Sequence, residues 1–270
     1  MTSPAQRLAD WNRCVAELIE TLDQPCLVER LMGSLRVLAP VDDLIITLVF
    51  RAGSAPRAVF ERPPSATTRR SIERYLSGPY LLDPYYRAGV EGRPSGFYRL
   101  ATLAPDGFRR SEYYRSYYAR TRLRDEVGYL VQVSSACFLN LSLERSASPP
   151  FSRVQIGLLE AVAPVVVALA ARHWRGPHAV TSADPRLRID GALAELSRGR
   201  LTPREMEVTK LVLEGYSGKA AAVALGISPE TVKLHRKNLY AKLAIRSQSE
   251  LFSRFLAALG LSDAGSRQAR

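Results

Sequence analysis

All five lysines of this 270-residue chain, Lys210, Lys219, Lys233, Lys237 and Lys242, fall in its last quarter, and before them arginine is the only permanent cation. Lys233 and Lys237 are four residues apart, one turn of a helix, so two ammonium groups project side by side with Leu234 between them. Ammonium donors suit guanine O6 and N7 or a phosphate, and a leucine suits a thymine methyl. Thr231, Arg236 and Lys242 lie nearer the edges of the same face and suit phosphate oxygens, which fix register without reading sequence. The competing reading is a solvated helix face without a partner. His235 fits a hydrogen-bonding place at the core edge better than a ligand or base, because no catalytic partner for it is visible.

These side chains need a rigid helix beneath them. Ser228 before Pro229 reads as an N-cap followed by proline at the first helical position. Val232, His235, Leu239 and Leu243 recur on one face, which is assigned to the core and leaves Glu230, Lys233, Leu234 and Lys237 outside. Upstream, Gly226 permits a left-handed turn, Ile227 plugs the angle, and Ser217 caps a short helix from Gly218 to Leu225. Thr202-Pro203-Arg204-Glu205 forms a capping box for a helix expected to bury Met206, Val208, Leu211 and Val212 and to stop near Gly215. Two short helices joined by a glycine turn, the second basic, form the layout of a helix-turn-helix that enters the major groove of double-stranded DNA. Ser247 to Glu250 opens a last helix carrying Leu251, Phe252, Phe255, Leu256 and Leu259. Its apolar surplus points to a homodimer contact.

The bulk properties agree. A net charge of +12 and a pI near 10.0 favour an anionic partner. Cys14, Cys26 and Cys137 lack metal-ligand spacing and suit a reducing cytoplasm. The N-terminus MTSPAQRLADWNRC lacks the apolar core of a signal peptide, so export is not expected. No nucleophile–base pair or metal cluster is visible, so neither an enzyme nor a cofactor is expected.

The N-terminal part reads as α+β. Leucine-rich periodicity covers residues 5–38 in two helices, the second opened by Pro25, and Leu44 to Phe50 reads as a strand joined through the turn Arg51-Ala52-Gly53-Ser54 to a shorter strand at Ala58 to Phe60. Val127 to Val133 and Ala136 to Leu143 read as two adjacent strands. Pro149 and Pro150 then introduce one long apolar helix from Phe151 to about Trp174. Gln155 and Glu160 interrupt its apolar run, Pro164 kinks it, and it is too short for a membrane span and suited to packing on a sheet and a second subunit. Helices flanking a mostly antiparallel sheet give an α/β/α sandwich of the GAF or PAS sort.

Ten of the twelve tyrosines fall between Tyr75 and Tyr129, in a segment broken by prolines. The bland reading is that Tyr113, Tyr114, Tyr117 and Tyr118 form the core side of an amphipathic helix. The functional reading is a small-molecule cavity in which Tyr80, Tyr85, Tyr98, Tyr114 and Tyr117 supply rings and Asp83, Asp125 and Glu126 supply carboxylates, a combination that suits a cationic effector such as an amine.

Residues 175 to 185 are small and turn-forming, which places a ligand-sensing domain at 1–174, a linker at 175–197 and a four-helix domain at 198–262.

LTPREMEVTKLVLEGYS, LGISPETVKLHRKNLYAKL and RSQSEL resemble the C-terminal DNA-binding domain of LuxR-type regulators over about 60 residues. The resemblance implies a module whose third helix reads DNA and whose fourth dimerises, with RNA polymerase a further candidate partner. The scaffold helix departs from it: Gly218 to Ala224 carries small apolar residues where the family shows charge, which offers surface to the sensor domain or a partner subunit. No lysine precedes Lys210, so a phospho-receiver is disfavoured, and Gly215 to Lys219 lacks Walker spacing. Asp83-Pro84 followed by Val127-Gly128 resembles an acyl-homoserine-lactone pocket. That pocket's tryptophans are missing, since Trp11 and Trp174 lie far outside, and this favours a different small molecule. A regulator whose N-terminal domain only dimerises, or binds a protein partner, is the alternative.

Overall fold

The structure, a computed structural model, describes residues 3–22, 24, 26–50, 56–60, 66–121, 123–175 and 185–258. The expected turn at 51–54, most of the linker at 175–185 and Leu259 lie outside them. The contacts divide the chain into two units. The first comprises Met1–Ile72, Tyr85–Leu103 and Arg122–Ala183; the second comprises Glu73–Pro84, Ala104–Thr121 and Asp184–Arg270.

The first unit opens with α1 (Pro4–Glu20) and α2 (Leu27–Leu38). Ser3 Oγ caps α1 by accepting the Gln6 amide at 3.2 Å, and Pro4 holds the first helical position. A near-continuous apolar, β-branched run forms β1 (Asp43–Phe50), which pairs with β2 (Arg57–Phe60). Then come α3 (Ala66–Leu76), α4 (Pro84–Val90), β3 (Gly96–Arg99) and α5 (Leu100–Leu103), followed, beyond the aromatic segment with its short α6 (Glu112–Ser116), by β4 (Asp125–Gln132) and β5 (Cys137–Arg145). The five strands run in the order β2-β1-β5-β4-β3, every neighbour antiparallel. The expected sandwich with a mostly antiparallel sheet is what forms. The strand β3 was not expected: four residues after Pro94 carry too little alternation to read, and only their ladder to β4 makes them a strand.

The two faces of this sheet differ. Ile46, Leu48, Val127, Tyr129, Leu139 and Leu141 face one side and pack with Trp11, Leu18, Leu31 and Leu35 from α1 and α2 and with Leu159 and Val166 from the C-terminal helices, all in one apolar core. Tyr129 is sealed there, and its hydroxyl donates to the Leu159 carbonyl at 2.8 Å. The single long helix expected from Phe151 to Trp174 is instead two, α7 (Arg153–Ala161) and α8 (Ala163–His173), bent by 50° at the break. Pro164 sits in the first turn of α8, where a missing amide costs nothing. No single helix among the described residues is long and apolar enough to cross a membrane. On the opposite face, α4 lies so close that Gly89 abuts the Phe138 ring; a Cβ there would fall 2.1 Å from it.

The second unit collects α9 (Pro185–Ser197), α10 (Pro203–Glu214), α11 (Gly218–Leu225), α12 (Pro229–Lys242) and α13 (Gln248–Ala258), together with the aromatic segments 73–84 and 104–121. Val208, Val212, Ala221, Val232, Leu239 and Phe255 are buried at its centre. Met206 and Leu211, expected inside, are only half-buried; Thr209 and Leu213 take their place, one position further round α10. The tyrosines of 113–118 do not share one long helix. The helix α6 is five residues, Tyr117 ends it, and Tyr118 begins a 3-10 turn.

Candidate nucleic-acid interface and sensor face

Each element under the basic helix is set by a local hydrogen bond that the sequence encodes. Thr202 Oγ1 accepts from the Glu205 amide at 3.3 Å and Glu205 Oε2 accepts from the Thr202 amide at 2.8 Å, completing the capping box. The helix α10 ends at Gly215 with φ +92°. Ser217 Oγ then accepts the Ala220 amide at 3.2 Å to start α11, and Gly226, φ +64°, ends it. Ile227 donates back to the Ala222 carbonyl at 3.0 Å, which closes the turn. Ser228 Oγ accepts the Thr231 amide at 3.1 Å to start α12.

On α12, Val232 and Leu239 face inward, His235 is half-buried, and Lys233, Leu234 and Lys237 are exposed, Leu234 at 56 %. A leucine left this open on a helix between two lysines carries no packing role within the unit. Arg236 is half-buried and its guanidinium reaches the Tyr240 hydroxyl at 3.4 Å. The Thr231 hydroxyl is 2.9 Å from Ser228 Oγ.

Lys242 is differently placed. Its Nζ lies 2.7 Å from Glu205 Oε2, with side-chain exposures of 38 % and 4 % respectively. Burial alone would raise the Glu205 carboxyl, but the hydrogen bonds from Lys242 and Thr202 overcome it and hold the pKa below its ordinary value. The lysine therefore ties the end of α12 to the start of α10.

The start of α11 and the first turns of α12 border a concavity of about 710 Å3, lined by Ser217, Lys219, Lys233 and Arg236 and, from the aromatic segment of the same unit, Asp106 and Arg110. Asp106 accepts from the Ser217 amide at 3.0 Å and from its hydroxyl at 2.5 Å. Those two bonds hold its carboxyl below the usual range.

The eight residues singled out for a ligand are shared between the units. In the second, Tyr80 and Tyr117 are buried and both meet the Tyr75 ring, Tyr80 edge-on at a centroid distance of 6.2 Å and Tyr117 tilted at 5.6 Å. Tyr117 also stacks on Tyr113 at 5.8 Å, and the Tyr113 hydroxyl donates to buried Asp83 at 3.0 Å. Burial, with Asp83 beside it, pushes the Tyr113 phenol well above its ordinary pKa. Tyr114 stacks on Tyr118. In the first unit, the Tyr85 hydroxyl donates to the Tyr98 carbonyl at 3.0 Å, and Tyr98 and Glu126 stand on the sheet face opposite the apolar core. Asp125 takes a structural position: its carboxylate accepts the Phe151 amide at 2.9 Å and the Glu126 amide at 3.0 Å.

Three residues on that second face were not foreseen. Thr47 pairs across the ladder with Asn140, Ser142 follows two residues on, and all three are buried. The Asn140 amide donates to Ser142 Oγ at 2.8 Å, but its carbonyl oxygen is buried with no hydrogen-bond partner, in a residue only 8 % exposed. A buried acceptor left unsatisfied costs about 1–3 kcal/mol. The polar alternation Asn140, Ser142 within β5 was the available signal.

A capped helix-turn-helix with an exposed basic face defines a DNA-binding regulator. Residues 199–255 match the bacterial regulatory proteins of the luxR family. The chain is 36 % identical over 183 residues to an Aeromonas salmonicida protein described as an HTH-type transcriptional regulator in the exeN 3′ region, covering 64 % of this chain and 93 % of that one. It is 30 % identical to the monoamine regulon transcriptional regulator of Klebsiella aerogenes over 182 residues, 67 % of this chain and 71 % of that one. The VqsR LBD domain of Pseudomonas aeruginosa superposes with a TM-score of 0.50 at 32 % identity, covering 60 % of this chain and 95 % of that one. The chain belongs to the luxR family of bacterial regulatory proteins, transcription regulators that bind DNA.

Proposed function

We infer that this regulator is a cytoplasmic homodimer controlled by a small cationic molecule of the amine class and that it works as a sensor rather than an enzyme. Residues 1–174 form the ligand-sensing part, 175–197 the linker and 198–262 the DNA-binding part. Thr231, Lys233, Leu234, Arg236 and Lys237 contact DNA, the exposed lysines and leucine meeting base edges and the others phosphates. Lys242 keeps one donor on Glu205 and offers the remaining two at the rim. A dimer on paired half-sites then acts on RNA polymerase.

The observation that carries effector control is the Asn140 carbonyl. A fold that leaves the buried Asn140 acceptor unsatisfied beside Ser142 holds binding capacity its own side chains do not use. An amine supplies the missing donor and brings a positive charge to the sheet face that holds Glu126, with Tyr85 and Tyr98 as aromatic walls. The likeness to a monoamine regulon regulator supports the same class.

Thermal melts of the full chain against millimolar aromatic monoamines, lactones and aromatic acids test this. A ligand at a hundredfold its Kd stabilises by about 2.7 kcal/mol, a shift of several degrees. The amines should raise Tm and be recovered unchanged after incubation. A rise with lactones or acids but not amines refutes the ligand class; no rise with any points to a constitutive binder.

A further inference from the structure

The second unit brings together two stretches far apart in sequence. Residues 104–111 lie against the turn between α10 and α11 with almost no space between backbones. A Cβ on Gly107 would fall 2.5 Å from the Gly215 carbonyl oxygen and 3.0 Å from the Ser217 nitrogen. Phe108 anchors the stretch; it is buried, and its ring meets those of Tyr113, Tyr114 and Tyr118 at 5.5–6.0 Å. Asp106 thereby delivers a carboxylate to Ser217, the N-cap of the scaffold helix, in a concavity whose other charged groups are Arg110, Lys219, Lys233 and Arg236.

In a helix-turn-helix the scaffold helix crosses the DNA backbone while its neighbour enters the groove. The start of α11 therefore faces phosphate, and its donors take one anion at a time. Asp106 presents an anion to the Ser217 amide and hydroxyl, and its segment shares a wall with Lys233 and Arg236 of α12. Both hydrogen bonds are at exposed positions, where water competes and separation is cheap. We propose that residues 104–111 form an autoinhibitory clasp in which Asp106 stands in for a DNA phosphate on Ser217, so that DNA and the clasp exclude one another. Effector binding elsewhere in the protein then acts by shifting the clasp between its held and released positions. This rests on α12 being the DNA-contacting helix.

The test uses the full chain and a fluorescein-labelled mixed-sequence duplex of about three helical turns, read by anisotropy over a salt series. If the clasp is closed in nine molecules of ten, it weakens apparent affinity about tenfold. Asp106→Asn, which removes the charge, and Gly107→Ala, which forces the backbones apart, should each bind about tenfold tighter. The slope of log K against log[salt] should stay close to that of the wild type, because the clasp has left in every DNA-bound molecule and Ser217 is a neutral contact. Circular dichroism and Tm verify that both variants are folded. Unchanged or weaker binding by the folded variants overturns the clasp. Separately, undiminished binding by Lys233→Ala Lys237→Ala without clasp changes would defeat the reading of α12 itself.

Discussion

Replacing Lys242 by alanine separates two roles that its position on α12 allows. As a phosphate contact alone, its loss would weaken DNA binding and lower the salt slope by about 0.9 while leaving stability untouched. The 2.7 Å bond to Glu205 requires a different outcome. Hydrogen bonds to charged groups contribute about 1.5–3 kcal/mol, and the 38 % exposure of the lysine side chain discounts this toward about 1–2 kcal/mol. For a chain of this size that is a fall in Tm of roughly 2–8 °C. Lys242→Arg, which keeps a cation and donors, should recover most of it.

The pH dependence supplies an internal check. Glu205 has a folded pKa below its ordinary value of 4.5, so its stabilisation is fully present above 4.5 and lost as pH falls through the folded value. The stability gap between wild type and Lys242→Ala should therefore be constant near neutrality and close in acid. Chemical denaturation between pH 7 and pH 3 measures it. A variant that melts with wild type at pH 7 but binds DNA less tightly would refute the ion pair as the lysine's main partner.

Lys233→Ala with Lys237→Ala should weaken binding to operator DNA by roughly 30- to 1000-fold, about 1–2 kcal/mol per contact, and lower the salt slope by about 1.8, with Tm unchanged; equal affinity in a gel shift defeats the assignment. Gly226→Ala forces a side chain onto φ +64° and should cost about 1 kcal/mol or more, measured by urea denaturation, whereas Gly33→Ala, in open space on α2, should stabilise slightly. Asn140→Leu removes the unsatisfied acceptor, so the ligand-free protein should be as stable as wild type or more so while losing its thermal response to amines. A variant that still responds would show that the amine does not use this carbonyl.

The helix-turn-helix was legible because its determinants are local. Thr202 with Glu205, Ser217 with Ala220 and Ser228 with Thr231 each bond across three residues, and Gly226 supplies its own turn. Residue order states such bonds directly. The sheet was legible where apolar runs filled strands of eight or nine residues, in β1, β4 and β5, and illegible in β3, whose four residues become a strand only through a partner some thirty positions away. Proline position foretold a kink near Pro164, but the break into α7 and α8 depends on how Val162 and its neighbours seat on the sheet core.

Charge and rings were likewise visible as inventory, without their partners. That Asp125 holds a turn, that Asp83 meets Tyr113 and that Lys242 meets a carboxylate thirty-seven residues back are consequences of chain crossings. The same holds for Asp106 on Ser217, separated by 111 residues. Sequence alone determined that one face of α12 carries lysine and that caps hold the helix in register, because hydrogen bonds and periodicity within a turn need nothing beyond neighbouring residues. Only the tertiary structure decided which cations stay exposed, which face of the sheet leaves an acceptor unsatisfied and which carboxylate reaches the scaffold helix. Those outcomes depend on burial and on distances between residues remote in the chain, and no spacing along the sequence encodes them.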